Sequence, residues 1–192
     1  MPSEQPAIAT MPTGIVIETA RLRLRAFDDD DLADLVALAD DWEVAQWLAH
    51  LPHPYREADG RGWIAHVRQA HAAGRPRSFA LALKDTGRLI GGGGIDGSSG
   101  DGSAEPALGY WLGRPHWGQG YAREAVAALI HYAFELLGLD AIRAYTDPAN
   151  TASRQVVLAC GFKEAGMIDL LTPTHHGALR APLFRITRNF AS

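Results

Sequence analysis

The chain has 192 residues, a formal net charge of −4, 47% hydrophobic and 21% charged residues. That length suits one domain, that composition supports a packed core without staples, and the single cysteine, Cys160, excludes an internal disulfide. Net acidity argues against a broad grip on nucleic acid, and the most apolar stretch, Ala125–Leu137, is interrupted by His131 and Glu135, short of the roughly 20 apolar residues a membrane span needs.

Residues 1–13 lack a basic start followed by an apolar run, so they read as a loose tail rather than a secretory signal. A single domain is expected over residues 14–190, with a cytoplasmic location by default. Ile15–Arg25 alternates apolar and polar residues as a half-buried strand does. Asp28–Asp31 supplies the acidic start that favours a helix N-terminus, and Leu32, Leu35, Val36 and Leu38 form its stripe. A short helix over Trp42–Leu48 ends at Leu51-Pro52-His53-Pro54, and a longer one over Arg56–Ala73 stops at Gly74. Strands follow at Ser78–Lys84 and Arg88–Ile95 around an Asp85-Thr86-Gly87 turn, then a Gly/Ser loop at Asp96–Ser103 and a strand at Ala107–Leu112. Tyr121–Leu137 carries apolar residues at i, i+3, i+4 throughout and predicts the clearest helix, closed by Gly138. Ala141–Thr146 reads as a strand. Asn150 or Thr151 caps a helix to Ala159, Gly161 stops it, and Phe162–Leu171 and Leu179–Thr187 are the last strands. This order predicts a mixed α/β layer on one sheet.

The chemistry concentrates between Gly109 and Phe162. Trp117-Gly118-Gln119-Gly120-Tyr121-Ala122 lies between a strand and a strong helix. Glycines there let a ligand approach the main chain, and the unpaired N–H groups of a first helical turn favour an anion. The same spacing also serves a tight turn. A dinucleotide fingerprint would need a third glycine where Arg123 stands. The G-x-x-x-x-G-K-[ST] phosphate loop is absent.

Gly109-Tyr110-Trp111-Leu112, the Trp117–Ala122 segment, Asn150-x-x-Ser153 and Gly161-Phe162, in this order, resemble the GNAT acyltransferases. The branch that contains the ribosomal-protein N-terminal (alanine/serine) acetyltransferases is the most similar, and Glu18–Arg25 resembles its first strand. The resemblance runs from about Ile15 to Thr187. It implies the GNAT fold, a mostly antiparallel sheet of about seven strands flanked by helices and splayed at the cofactor-binding strands. It also implies acetyl-CoA as acyl donor, with its pyrophosphate on the main chain of Gly118, Gln119, Gly120, Tyr121 and Ala122. Trp117 takes the place of the family's usual polar first residue. Arg123 is assigned a reach to a phosphate oxygen, or else a solvated helix face; Arg114 is read as structural. Tyr110, Trp111 and Leu112 would pair through their main chain with the pantetheine arm, their side chains packing the core. Asn150 would bond that arm, cap its helix, or both. Ser153 would protonate the leaving thiolate, a group of pKa about 8.5 when free.

The implied reaction is direct attack of a primary amine, on a protein N-terminus or a small molecule, in a ternary complex. It needs the amine to lose a proton. Glu105, on the face implied for a base, is one candidate; Asp169 is another; no dedicated base is the third reading. Trp42, Trp47, Tyr55 and the loop Thr172–Ala178, with His175 and His176, are expected to wall the acceptor. Net acidity suits a cationic amine. No metal is expected: there is no H-E-x-x-H, and no His pair at i, i+4. Cys160 reads as a small core residue. Transfer of another acyl group such as succinyl, or a non-catalytic coenzyme-binding module, stays open, as does monomer against homodimer.

Overall fold

A computed structural model describes residues 14–49, 51–96 and 105–188. The tail expected over residues 1–13, and the Gly/Ser loop from residue 97 onward, lie outside the described residues. Eight strands form one sheet in the order β1-β2-β3-β4-β5-β6-β8-β7. They are β1 Ile17–Glu18, β2 Leu22–Arg25, β3 Ser78–Leu83, β4 Leu89–Asp96, β5 Ala107–Leu112, β6 Ala141–Tyr145, β7 Lys163–Asp169 and β8 Arg180–Thr187. The helices are α1 Leu32–Ala39, α2 Trp42–Ala45, α3 Glu57–Ala72, α4 Tyr121–His131 and α5 Thr151–Ala159.

One more strand is present than expected, because Ile15–Arg25 is not one strand. Thr19 breaks it: its backbone N–H donates to the Leu22 carbonyl, its hydroxyl oxygen accepts from the Leu22 N–H at 2.8 Å, and the chain doubles back so that Ile17 faces Leu24. A helical turn, Arg114–His116, was also missed, with Pro115 inside it. The predicted Trp42–Leu48 helix shrinks to the four residues of α2. The long helix from Tyr121 changes pitch after His131 into a π-helical turn, Tyr132–Leu136. Asp96 ends β4 instead of opening a loop.

Strand periodicity puts alternate side chains on opposite faces and so builds two cores. Phe79 and Leu81 join Leu22, Leu24, Leu129, Tyr132 and Phe184 beneath α4 and α5. Ala80 and Leu89 join Phe27, Leu35, Ile64 and Val67 beneath α1 and α3. Each such large apolar side chain contributes about 1.5–3 kcal/mol when buried. The entry to α1 is held by a carboxylate network. Asp31 accepts from the Asp28 N–H at 2.7 Å and from Arg25 at 2.6 and 2.8 Å, which satisfies a buried charge on both oxygens.

Six of the seven strand pairings are antiparallel. The exception is β5 with β6, which run parallel with one register pair, Ala107 opposite Arg143, tied by the Arg143 N–H to the Pro106 carbonyl at 2.9 Å. Beyond that rung the two strands part, as the splay expectation required. Their C-terminal ends, with the starts of α4 and α5, frame the opening.

Burial pushes the Tyr132 phenol up to about 12, and its hydroxyl donates to the Pro76 carbonyl at 2.6 Å. Tyr132→Phe leaves that carbonyl without its donor and is expected to cost about 1–3 kcal/mol in urea unfolding, with an unchanged m-value.

Candidate active site

A cleft of about 1700 Å³ runs from the α4–α5 side, through the gap between β5 and β6, to the wall formed by α2, α3 and the loop before β8. Tyr110, Trp111, Leu112, Trp117, Gly118, Gly120, Tyr121, Ala122, Arg123, Asn150 and Ser153 all line it. Of the residues assigned to the coenzyme, Gln119 is the one that does not: its amide donates back to the Pro115 carbonyl at 2.9 Å.

The glycine loop is built by backbone geometry. Gly118 and Gly120 sit at φ of 72° and 81°, a region that disfavours any residue with a Cβ. Gly120 is the N-cap of α4 with no side-chain cap, and the first ladder bond runs from the Glu124 N–H to the Gly120 carbonyl. The N–H groups of Tyr121, Ala122 and Arg123 therefore precede the ladder and carry the positive end of the helix dipole. The Trp117 indole N–H donates to the Leu112 carbonyl at 2.7 Å, tying the loop to the end of β5. A tryptophan thus does a structural job at the position where the family pattern has a polar residue.

Arg21 was not singled out by the sequence analysis, yet it holds this loop from the β1–β2 turn. Its Nε donates to Glu124 at 2.7 Å, its Nη1 donates to the Gln119 carbonyl at 2.9 Å, and its guanidinium lies 4.4 Å over the Tyr121 ring. Glu124 also accepts from the Thr19 hydroxyl at 2.6 Å and from the Arg21 N–H at 2.7 Å. Burial alone would push the Glu124 carboxyl up, but these donors outweigh it and hold it below the usual carboxylate range. The only earlier signal was the run Glu18–Arg25 itself, which does not say where Arg21 reaches.

On the α5 side, Asn150 caps the helix: its Oδ1 accepts from the Ser153 N–H at 3.0 Å. Ser153 Oγ lies 3.0 Å from the Tyr110 hydroxyl, which reaches across from β5. Burial pushes the Tyr110 phenol up to about 12, the bond to Ser153 only partly offsetting it, so it stays protonated at neutral pH. The Tyr110 side chain therefore belongs to the site and not only to the core, a juxtaposition that spacing within α5 could not reveal.

The two acids weighed as base are placed elsewhere. Glu105 precedes β5 at its far end and is paired with Arg185 at 2.8 Å and Arg143 at 3.3 Å. Asp169 ends β7, exposed and paired with Arg180 at 3.0 Å. Neither lines the cleft. The carboxylate that does so at the end of β6 is Asp147. Its side chain is 1% exposed, its Oδ1 accepts from the Ala149 N–H at 2.8 Å, and its Oδ2 faces His176 Nδ1 at 3.4 Å. His176 Nε2 in turn lies 3.0 Å from Gln46 Oε1.

Trp47, Tyr55, Thr172 and Thr174, expected to wall the acceptor, line the cleft. Trp42 does not; it stands outside, against His53 and His175 at 5.1 and 5.6 Å between ring centroids. Arg114 pairs with Asp41 at 2.8 Å, a structural role. The Cys160 thiol is half-buried, near the Arg123 carbonyl at 3.7 Å, and burial pushes it up. Among the described residues there is no group of three His, Cys, Asp or Glu placed to hold a metal ion, and no helix long and apolar enough to cross a membrane.

Glu124→Gln removes the charge that collects Thr19 and Arg21. Because the native carboxyl titrates below its ordinary value of 4.5, its contribution is complete above that value and lost as pH falls through the native one. The variant is expected to be less stable by about 1–2 kcal/mol at pH 7, discounting for the half-exposed Arg21. Urea unfolding at a series of pH values should show the gap closing below the ordinary carboxylate value.

A family profile described as an acetyltransferase (GNAT) domain matches residues 21–163. An N-acetyltransferase of Bacillus licheniformis, p20, described as uncharacterised, is 33% identical over 151 residues, 78% of this chain and 83% of its own. Among solved structures, a GNAT-family acetyltransferase from Bacillus anthracis superposes with a TM-score of 0.76 at 21% identity, over 90% of this chain and 98% of its own. RimJ of Mycobacterium smegmatis, in complex with CoA-disulfide, superposes with a TM-score of 0.71 at 21% identity, over 91% of this chain and 86% of its own. With a sheet parted at β5 and β6 and a glycine loop opening α4, the chain belongs to the GNAT family and is an N-acetyltransferase.

Proposed function

We propose that the protein transfers the acetyl group of acetyl-CoA to a primary amine by direct attack in a ternary complex. The observation that carries this reading is the one-rung pairing of β5 with β6. It leaves β5 beyond Ala107 without a paired strand on the β6 side, a gap that an extended arm would fill by strand-like pairing along Tyr110–Leu112. The pyrophosphate would rest on the N–H groups of Tyr121, Ala122 and Arg123, with the Arg123 guanidinium in the same first turn. Asn150 spends its Oδ1 on the helix cap, so its amide NH2 is the end that would donate to the arm.

The amine nitrogen forms a bond to the thioester carbonyl carbon, the C–S bond breaks, and the proton lost by the nitrogen passes to water in the open cleft, no dedicated side-chain base taking part. A main-chain N–H at the parted strands would stabilise the developing oxyanion. Ser153 is the proton donor to the departing thiolate, in the arrangement where the Tyr110 hydroxyl is the donor of their 3.0 Å contact and leaves the serine proton to point elsewhere. Glu105, held by two guanidinium groups away from the cleft, is an ion pair at the start of β5 in this reading rather than the base. The acceptor arrives on the α3 face, opposite the Tyr110–Ser153 pair.

Calorimetric titration with acetyl-CoA, with NADH as the control, tests the donor. Saturable binding of acetyl-CoA alone is expected, and failure of the folded protein to bind it would overturn the reading. Gly120→Ala forces a Cβ into a left-handed position at a cost of about 1–2 kcal/mol, which should weaken acetyl-CoA by roughly tenfold. With any accepted amine, Ser153→Ala is expected to lower kcat by about 10²-fold with little change in the acetyl-CoA KM, measured by thiol release. Tight binding without turnover of any amine would instead favour a coenzyme-binding module.

A further inference from the structure

The acceptor half of the cleft has a composition of its own. Trp63, on α3, lines the cleft and is 39% exposed. One turn later His66 stacks on it, with centroids 5.9 Å apart and planes at 30°, and Phe27 meets it edge-on at 6.4 Å and 77°. An indole held by two rings, with a large part of its surface still in water, keeps an apolar contact area available to a third planar group.

The floor beneath this row is made by an absence of side chain. Gly92 lies opposite Trp111 in the β4–β5 ladder, and both line the cleft. A Cβ on Gly92 would come within 2.8 Å of Trp111 Nε1 and 3.4 Å of Phe27 Cζ. The glycine therefore lets the Trp111 indole lie close against the sheet beside Phe27. The space above stays open and is bounded by ring surfaces.

Strand alternation separates this pocket from the coenzyme chemistry. Tyr110 packs with the core under α4 and α5, where its hydroxyl meets Ser153, whereas the neighbouring Trp111 packs with the core under α1 and α3. The rings thus lie on the side from which an acceptor would reach the gap between β5 and β6. Charge selects in the same direction. Asp59, Asp96 and Asp147 line the cleft, while among the described residues Arg123, in the first turn of α4, supplies its one guanidinium or ammonium group. A cationic acceptor is favoured over an anionic one.

We propose that the acceptor is a small arylalkyl primary amine. Its ring packs against Trp63 over the floor made by Trp111 and Gly92, and its ammonium is drawn by the acidic lining. This inference rests on the acyl-transfer reading only for the fate of the amine; ring recognition can be measured without turnover.

The experiment is calorimetric titration of the full chain, in the presence of coenzyme A, with phenethylamine, n-butylamine and a short peptide with a free N-terminal alanine. Phenethylamine is expected to bind at least tenfold more tightly than either of the others. Trp63→Ala, at a partly exposed position, should remove most of that preference, and Trp63→Phe should restore most of it. With acetyl-CoA, the same substitutions should act on the KM for phenethylamine and leave kcat within a few fold. Equal binding of phenethylamine and n-butylamine, preference for the peptide, or a preference that survives Trp63→Ala would each overturn the proposal. Ring-selective binding without thiol release would uphold the pocket while overturning the transfer reading.

Discussion

A sheet whose central parallel pair is bonded at one rung sets the conditions for everything else in this molecule. Antiparallel neighbours on both sides, β4 on β5 and β8 on β6, hold the two strands rigidly while leaving their facing edges apart. A gap of this kind would normally leave buried amides without partners, at about 1–3 kcal/mol each. It is tolerated because it opens into a cleft, where water or an extended ligand can satisfy them. The helices that begin at its mouth, α4 and α5, then bring an anion-binding terminus and a capped Asn–Ser turn to the same opening.

The two faces of the sheet divide the work. Large side chains crowd the face under α4 and α5, and the Tyr110–Ser153 contact sits there. Smaller residues, Ala80 and Gly92, occupy the face under α1 and α3, while Gly93 lies on the other face, where a Cβ would come within 3.1 Å of Leu129. Gly91 and Gly94 are demanded by packing as well, since a Cβ on either would meet a neighbouring carbonyl oxygen at 2.1 Å. One run of glycine thus serves close strand approach and an open floor at once.

Local pattern made the strands, the long helices and the glycine loop legible, because each rests on periodicity or on a residue type with a strong backbone preference. The Ile15–Arg25 reading failed at Thr19, whose hydroxyl competes for backbone partners and turns the chain, an effect invisible to alternation alone. The residues proposed for the coenzyme were legible as candidates because they fall in three short runs, each within one strand, one loop or one helical turn. Glu105 looked suitable from its strand face, but its two arginine partners come from β6 and β8, whose pairing with β5 is a matter of topology. The same holds for Arg21, Tyr110 with Ser153, and Asp147 with His176. Each joins segments far apart in the chain, and no spacing rule connects them.

The clasp of Arg21 and Glu124 on the glycine loop has a consequence for how the protein meets its donor. A loop of this composition would ordinarily be a fluctuating segment, and ordering its backbone would cost about 1–2 kcal/mol per residue. Here the Gln119 carbonyl, the Tyr121 ring and the first turn of α4 are fastened to the N-terminal hairpin by a charge network, and Trp117 is fastened to β5. That ordering is therefore met by the folding reaction itself. The free protein presents its row of amide dipoles in a fixed direction, so in the proposed donor complex association would approach a lock-and-key event with a small entropic penalty at the phosphate end. On the proposed reading, the hairpin at residues 17–25 is in this sense part of the affinity, through the Arg21 contacts to the loop.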